Sequence, residues 1–376
     1  MGDTPGQRAA KILEMCRGEG FALAGAARLA PGAHARELRE WLGAGKHGEM
    51  AWLAKTVEER LDPARLLAGA QSVVMVADFY AARGAPADPP AQGFGRIARY
   101  ARGRDYHDVI KRRVQRVCDR VRETWPGAAT KAFTDTAPAP ERELAALCGL
   151  GWIGKHTLLI HPAHGSWMLL GGFLTTLVLE APGGQAPEPG RCGTCTRCID
   201  ACPTGAITPH SVDASRCISY LTIEHLGPVG PALAGANADW LVGCDVCQEV
   251  CPHNSARPGA SGGGAPVRAE YAARRAGFDL LEVLGWDEPT RRARFATSAM
   301  KRVTLAQIKR NAVLLAAGLL RSGAPAGSPG PGDGLRDALR DRLVDIAWDA
   351  GEPEPVRDAA RAALAGLSPA APPGAR

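Results

Sequence analysis

The chain has 376 residues, of which 45% are hydrophobic and 22% charged, and its net charge is +6. That is enough apolar material for real cores and enough length for two or three domains. The opening Met-Gly-Asp-Thr-Pro-Gly-Gln-Arg has no apolar stretch, and the longest apolar run, Trp167 to Leu179, is broken by two glycines and two threonines. Neither reads as a secretory signal or a bilayer span, so the expectation is a soluble, cytoplasmic protein without membrane attachment.

In chain order, Arg8 to Glu19 and Ala35 to Leu42 carry helical spacing, and Ser72-Val-Val-Met-Val-Ala77 is a short β-type apolar run. Gly93-Phe-Gly95 lacks a third glycine and a following helix, so it is no dinucleotide fingerprint. Asp108 to Glu123 is a basic amphipathic helix with Val109, Ile110, Val114, Val117 and Val121 on one side. Next comes Phe133-Thr-Asp135-Thr-Ala-Pro138, then Gly149-Leu-Gly-Trp-Ile-Gly154-Lys155-His156-Thr157. Asp135 closes a strand-like segment and reads either as a helix N-cap or as a functional carboxylate. The glycines permit close backbone approach to a ligand, or simply a tight loop. Leu158 to Ile160 and Phe173 to Leu179 are further strand candidates. The fold expected is α+β, with an α/β-type N-terminal domain.

Eight of the eleven cysteines fall in two runs. Cys192, Cys195, Cys198 and Cys202-Pro203 follow C-x2-C-x2-C-x3-C-P, the bacterial ferredoxin spacing. Cys244, Cys247 and Cys251-Pro252 repeat its end, with Cys217 upstream across a 26-residue insertion. In two-cluster ferredoxins the cysteine before proline ligates the other cluster. Two [4Fe–4S] clusters are therefore expected, one on Cys192, Cys195, Cys198 and Cys251, the other on Cys202, Cys217, Cys244 and Cys247. Zinc has no use for the x3-C-P exit, and disulfides need an oxidising compartment. Cys16, Cys118 and Cys148 lack partner spacing and read as buried structural thiols.

The Pro/Gly stretches Ala181–Gly190 and Arg257–Pro266 set off the cysteine region. The expected division is residues 1–181, a ferredoxin-like module at 182–260, and a helical tail at 267–376. In the tail, Val303 to Arg321 and Leu335 to Ala350 are periodic, and Glu352 to Leu364 adds a proline turn and an Ala-rich helix. This pattern is HEAT-like. Ten basic residues against three acids between Arg96 and Arg122, and seven basic residues without an acid from Arg291 to Arg310, suit a polyanion or form a solvated face.

Glu59-Arg60-Leu-Asp-Pro63, Ala98-Arg-Tyr100 through Tyr106-His107, Asp135-Thr-Ala-Pro, Gly149 through Thr157, the cysteine module with Cys217-Ile-Ser-Tyr220 through His225, and Ile308-Lys-Arg310-Asn311 occur in order. Together they resemble the epoxyqueuosine reductases, cobalamin-dependent iron–sulfur enzymes of the last step in making queuosine in tRNA. His156 stands where asparagine is frequent in that family, and the stretch from Ser322 to Gly334 is unusually long. The resemblance implies a cobalamin-binding N-terminal domain with base-off cobalamin. It implies an electron donor of ferredoxin or flavodoxin type and a monomer acting on the tRNA anticodon arm. It makes Asp135 the catalytic proton donor. It places Arg60, Tyr100, Asp135, Lys155, His156, Thr157, Ser219 and Asp245 around the cofactor, and His225, Lys301, Arg302, Lys309 and Arg310 on tRNA. A plain two-cluster electron carrier and a reductive-dehalogenase-like corrinoid enzyme are the competing readings. The second would normally bring an export signal.

Overall fold

The structure is a computed structural model that describes residues 2–86, 91–181, 188–237, 239–256, 267–322 and 332–367. Most of the three Pro/Gly segments at 181–190, 257–266 and 322–334 lies outside the described residues. The chain divides into two compact units. The first comprises Met1–Ala87, Arg99–Ser215 and Asp245–Arg274, the second Asp88–Ala98, Arg216–Cys244 and Arg275–Arg376.

The first unit is built on a four-stranded sheet in the order Leu23–Arg28, Ser72–Phe79, Met168–Thr175, Thr130–Phe133. All three pairings are antiparallel. The expected α/β-type N-terminal domain is thereby corrected: the strands meet without parallel crossovers, and the unit is α+β. The run Phe173 to Leu179 is strand only to Thr175.

Helix Pro5–Gly18 buries Ala9, Ile12, Leu13 and Cys16, one face at helical spacing, and Thr4 with Gln7 closes a capping box at its start. Helix Tyr106–Thr124 buries Val109, Ile110, Val114, Val117 and Val121 as its periodicity requires. It also buries Arg113, which ion-pairs with the fully buried Asp78, to which Tyr271 Oη donates at 2.9 Å. A desolvated arginine survives in a core only with such partners. Gly171 lets this helix and the loop after Phe133 approach the sheet. A Cβ there would lie 2.4 Å from Ile110 Cγ2 and 2.5 Å from Thr134 Oγ1.

The second unit has a three-stranded sheet with Phe94–Ile97 in the centre. Trp240–Val242 pairs parallel to it and Gly277–Asp279 antiparallel. Its tail is not helical throughout, since Gly277–Asp279 completes that sheet. The long helix Leu305–Arg321 buries Ile308, Ala312, Val313, Leu315, Ala316 and Leu320, and the helices Gly332–Trp348 and Glu354–Ala365 follow. Arg96 lies buried against the Trp240 ring at 3.9 Å, with Asp239 as its ion-pair partner.

Candidate functional site

Asp135 lies two residues beyond the strand Thr130–Phe133 with φ of 52°, a left-handed conformation that costs a non-glycine residue roughly 1–2 kcal/mol. It is not the N-cap of the next helix, which is Glu141–Leu147 with Pro140 at the cap. Its backbone N–H donates instead to Glu141 Oε1 at 2.5 Å. Its carboxylate, about half exposed, meets His107 Nε2 at 2.9 Å, and His107 Nδ1 meets Asp105 Oδ1 at 2.8 Å. The imidazole bridges two carboxylates.

Tyr106 stacks on that imidazole at 4.0 Å, and Tyr100 packs edge-on to Tyr106 at 6.2 Å. Burial alone would lower the His107 pKa. The hydrogen bonds to Asp105 and Asp135, with their charges, outweigh it and raise the ring to about 9. At neutral pH the ring is protonated and donates from both nitrogens. Burial, then the charge of Asp135, pushes Glu141 up to about 8. Burial also lowers Arg60, against the charges of Glu141, Asp135 and Glu59.

Arg142 Nη1 donates to Thr157 O at 2.8 Å and to Thr157 Oγ1 at 3.1 Å. Thr157 is itself left-handed, with φ of 67°. Arg142 keeps solvent-accessible surface although protein surrounds it densely, and burial lowers its pKa. Two residues before Thr157, Lys155 Nζ donates to Gly193 O at 2.7 Å and to Cys195 O at 3.1 Å. Lys155 and His156 border one cavity with Cys192, Cys195, Cys198 and Cys251.

All eleven cysteines are free thiols. Burial pushes the Cys198 and Cys251 thiols up, and the charges of neighbouring Cys192 and Cys195 push the same way. A cationic iron core would relieve that repulsion. Among the described residues no three His, Cys, Asp or Glu side chains converge to hold a single ion. Four sulfurs around a cavity fit a multi-atom cluster, where zinc would need a point. Of the second ligand set, Cys202 and Cys247 belong to the first unit, Cys217 and Cys244 to the second.

The structure thus brings Arg60, Tyr100, Asp135 and Thr157 into one neighbourhood and puts Lys155 and His156 at the four-cysteine cavity. Asp245 is buried and accepts from the Arg99 N–H at 2.7 Å, with burial pushing its pKa up to about 6. Ser219 lies in the second unit, on the helix Ile218–Ile223. Sequence reasoning missed His107, Asp105 and Glu141 as site residues, although Tyr106-His107 stood inside a recognised block.

Two expected tRNA contacts are corrected. Lys309 is buried and ion-paired to Glu352, and its Nζ also donates to Trp286 O at 3.2 Å. Arg310 is buried and donates to Leu221 O at 2.6 Å, His225 O at 2.7 Å and Gly227 O at 2.9 Å. Asn311 adds bonds to Thr222 O at 2.9 Å and Leu241 O at 3.0 Å. These side chains satisfy backbone carbonyls that burial has cut off from water, and they fix the segment after Cys217. Lys301 and Arg302 are exposed, with Arg302 paired to Glu224 at 2.7 Å, and the His225 ring meets Pro228 O at 3.1 Å.

The family model described as epoxyqueuosine reductase QueG matches residues 60–136, and a 4Fe-4S double cluster binding domain matches 191–254. An epoxyqueuosine reductase of Leadbetterella byssophila is 39% identical over 282 residues, 74% of this chain and 87% of the relative. A crystal structure of selenomethionine-labelled epoxyqueuosine reductase aligns with a TM-score of 0.79 at 25% identity, covering 94% of this chain and 89% of that one. An epoxyqueuosine reductase solved with an epoxyqueuosine-modified tRNA-Tyr stem loop shares the fold, with a TM-score of 0.75 at 23% identity and coverage of 95% and 97%.

Proposed function

The chain belongs to the epoxyqueuosine reductase family, and on that footing we propose that it reduces epoxyqueuosine to queuosine at the wobble position of tRNA, with Asp135 as proton donor. The observation that carries the residue assignment is the Asp135 carboxylate, half exposed on a strained turn and hydrogen-bonded to a protonated imidazole. Removing an epoxide oxygen to leave an alkene consumes two electrons and two protons. The departing oxygen leaves poorly without a proton, so a half-exposed acid beside it has a defined task.

His107 sits behind that acid. The proton on Nε2 is placed to pass to Asp135 Oδ2, while Asp105 on Nδ1 fixes the ring and stabilises its charge. Glu141 holds the Asp135 backbone in its left-handed turn and so aims the carboxylate.

The double cluster domain supplies two iron–sulfur clusters. Their ligands in this reading are Cys192, Cys195, Cys198 and Cys251 for one, and Cys202, Cys217, Cys244 and Cys247 for the other. Clusters of this type deliver single electrons at low potential, here from a donor of ferredoxin or flavodoxin type. A base-off cobalamin, when bound, would supply the strong reductant the epoxide requires. The residues present fit such a group: the Arg142 guanidinium feels the charge of Asp135, and the buried Thr134 Oγ1 next to Asp135 has no partner among the described residues. Both His107 nitrogens are engaged, which supports a cobalt without a ligand from this histidine. Arg60, Tyr100 and Thr157 would hold the cofactor near Asp135, with Ser219 and Asp245 as further contacts. His225, Lys301 and Arg302 would meet tRNA phosphates.

The domain division at 1–181, 182–260 and 267–376, a HEAT-like tail, a monomeric state and a cytoplasmic location complete the reading. Among the described residues no helix is long and apolar enough to cross a membrane.

The test is conversion of an epoxyqueuosine-bearing tRNA stem loop by the anaerobically reconstituted chain, with reductant, with and without cobalamin. Loss of one oxygen from the nucleoside in the presence of cobalamin alone is the expected result. Conversion without it would remove the corrinoid, and no conversion with both clusters present would favour the electron carrier.

A further inference from the structure

Two buried N–H groups beside the cavity cysteines have no acceptor among the described residues: that of His156, which lines the cavity, and that of Trp152, which packs against Cys251 and Cys192. His156 is 3% exposed, and its Nδ1 accepts from the Leu158 N–H at 3.2 Å. A ring that accepts at Nδ1 carries its proton on Nε2. That Nε2 is buried and has no partner among the described residues. Trp152 is also 3% exposed and packs against Cys251 and Ile160, with Cys192 alongside, and its Nε1 is likewise buried and unpartnered. A buried donor left without an acceptor is costly, so two beside the same cysteines call for an acceptor there.

An iron–sulfur cluster offers only acceptors, its sulfides and its cysteine sulfurs. Hydrogen bonds to those sulfurs stabilise the more negative, reduced state and raise the potential. We infer that His156 Nε2 and Trp152 Nε1 donate to the cluster held by Cys192, Cys195, Cys198 and Cys251, and that this pair sets its reduction potential above the value the ligands alone would give. The inference rests on the reading that these four cysteines hold a cluster. Both are positioning residues that act on the electron supply and not on the epoxide. A charged lysine in this place would add field strength but also a full charge to bury, whereas a neutral imidazole supplies direction at lower desolvation cost.

The test is a potentiometric titration of the reconstituted full chain, followed by electron paramagnetic resonance, comparing wild type with His156→Leu, His156→Asn and Trp152→Phe. Leucine and phenylalanine remove the N–H, while asparagine restores a donor. The midpoint of one cluster should fall in His156→Leu and in Trp152→Phe, each by roughly a tenfold change in the one-electron equilibrium, ~59 mV. The other midpoint should stay, and His156→Asn should recover part of the loss. Unchanged midpoints, or a shift upward, would overturn the inference. Should the variants fail to assemble, wild type carrying 15N only in its histidine rings decides: its reduced cluster should show nitrogen hyperfine coupling, and none would overturn the claim. A protein that assembles only one cluster in wild type, by iron and sulfide content, would instead defeat the ligand reading on which the inference rests.

Discussion

The imidazole of His107 stands 2.9 Å from the carboxylate of Asp135, although the two residues are 28 positions apart in the chain. A second carboxylate, Asp105, holds the other ring nitrogen. In the proposed reading, His107 is the group through which Asp135 is oriented and resupplied with a proton.

Removing that imidazole should therefore impair chemistry without touching the clusters. His107→Gln is expected to slow single turnover by roughly 10- to 100-fold, within the range for loss of a proton-transfer partner. Iron and sulfide content should be unchanged. The pH dependence has a defined sign. The folded-state pKa of about 9 lies above the ordinary 6.5, so the stabilisation from the charged bridge is complete below about 6.5 and is lost as pH rises through about 9. The basic limb of the rate profile should lie near 9 in wild type and disappear in His107→Gln.

The crossed cluster assignment makes a selective expectation. Cys251→Ala should damage the cluster on Cys192, Cys195 and Cys198, whose shared cavity Cys251 also lines. Its sequence neighbours Cys244 and Cys247 should keep theirs. Mössbauer or paramagnetic resonance spectra showing loss of the other cluster would reverse the assignment.

Buried and exposed basic residues of the tail should behave differently. Lys309→Met takes the nearer of two cations from the buried Glu352, leaving Arg342 at 3.6 Å, and should destabilise the protein by about 1–3 kcal/mol, seen as a lower melting temperature. Lys301→Ala and Arg302→Ala should leave stability nearly unchanged. Each should weaken tRNA binding and reduce the salt dependence of log Kd by about one unit of slope. A salt slope unaffected by either would take these two residues off the tRNA surface.

How much of this was legible depends on the distance over which each feature is made. Cluster ligands sit at short intervals because a cubane's corner must be wrapped locally, so C-x2-C-x2-C-x3-C-P could be read directly. The amphipathic helix from Tyr106 announced itself through its valines. Asp135 was singled out by its motif, but its left-handed backbone and its partner His107 come from tertiary contacts that no spacing records. The acid-free run from Arg291 to Arg310 looked like a surface. Lys309 nevertheless finds Glu352 43 residues later, and Arg310 finds carbonyls more than 80 residues earlier. Short strands such as Phe94–Ile97 and Trp240–Val242 were missed because three or four residues carry too little period to recognise, and their pairing is long-range.

The central claim is that Asp135 gives a proton to the departing oxygen, and Asp135→Asn tests it most directly. Asparagine keeps the shape and can still accept from His107, but it has no carboxyl proton to give. Single-turnover reduction of epoxyqueuosine in tRNA, with chemically prereduced enzyme, removes electron supply from the comparison. The expected result is intact clusters, retained cobalamin and tRNA binding, and a rate lower by roughly a hundredfold or more. A near wild-type rate in that variant would contradict the account and leave Asp135 a structural residue of its turn.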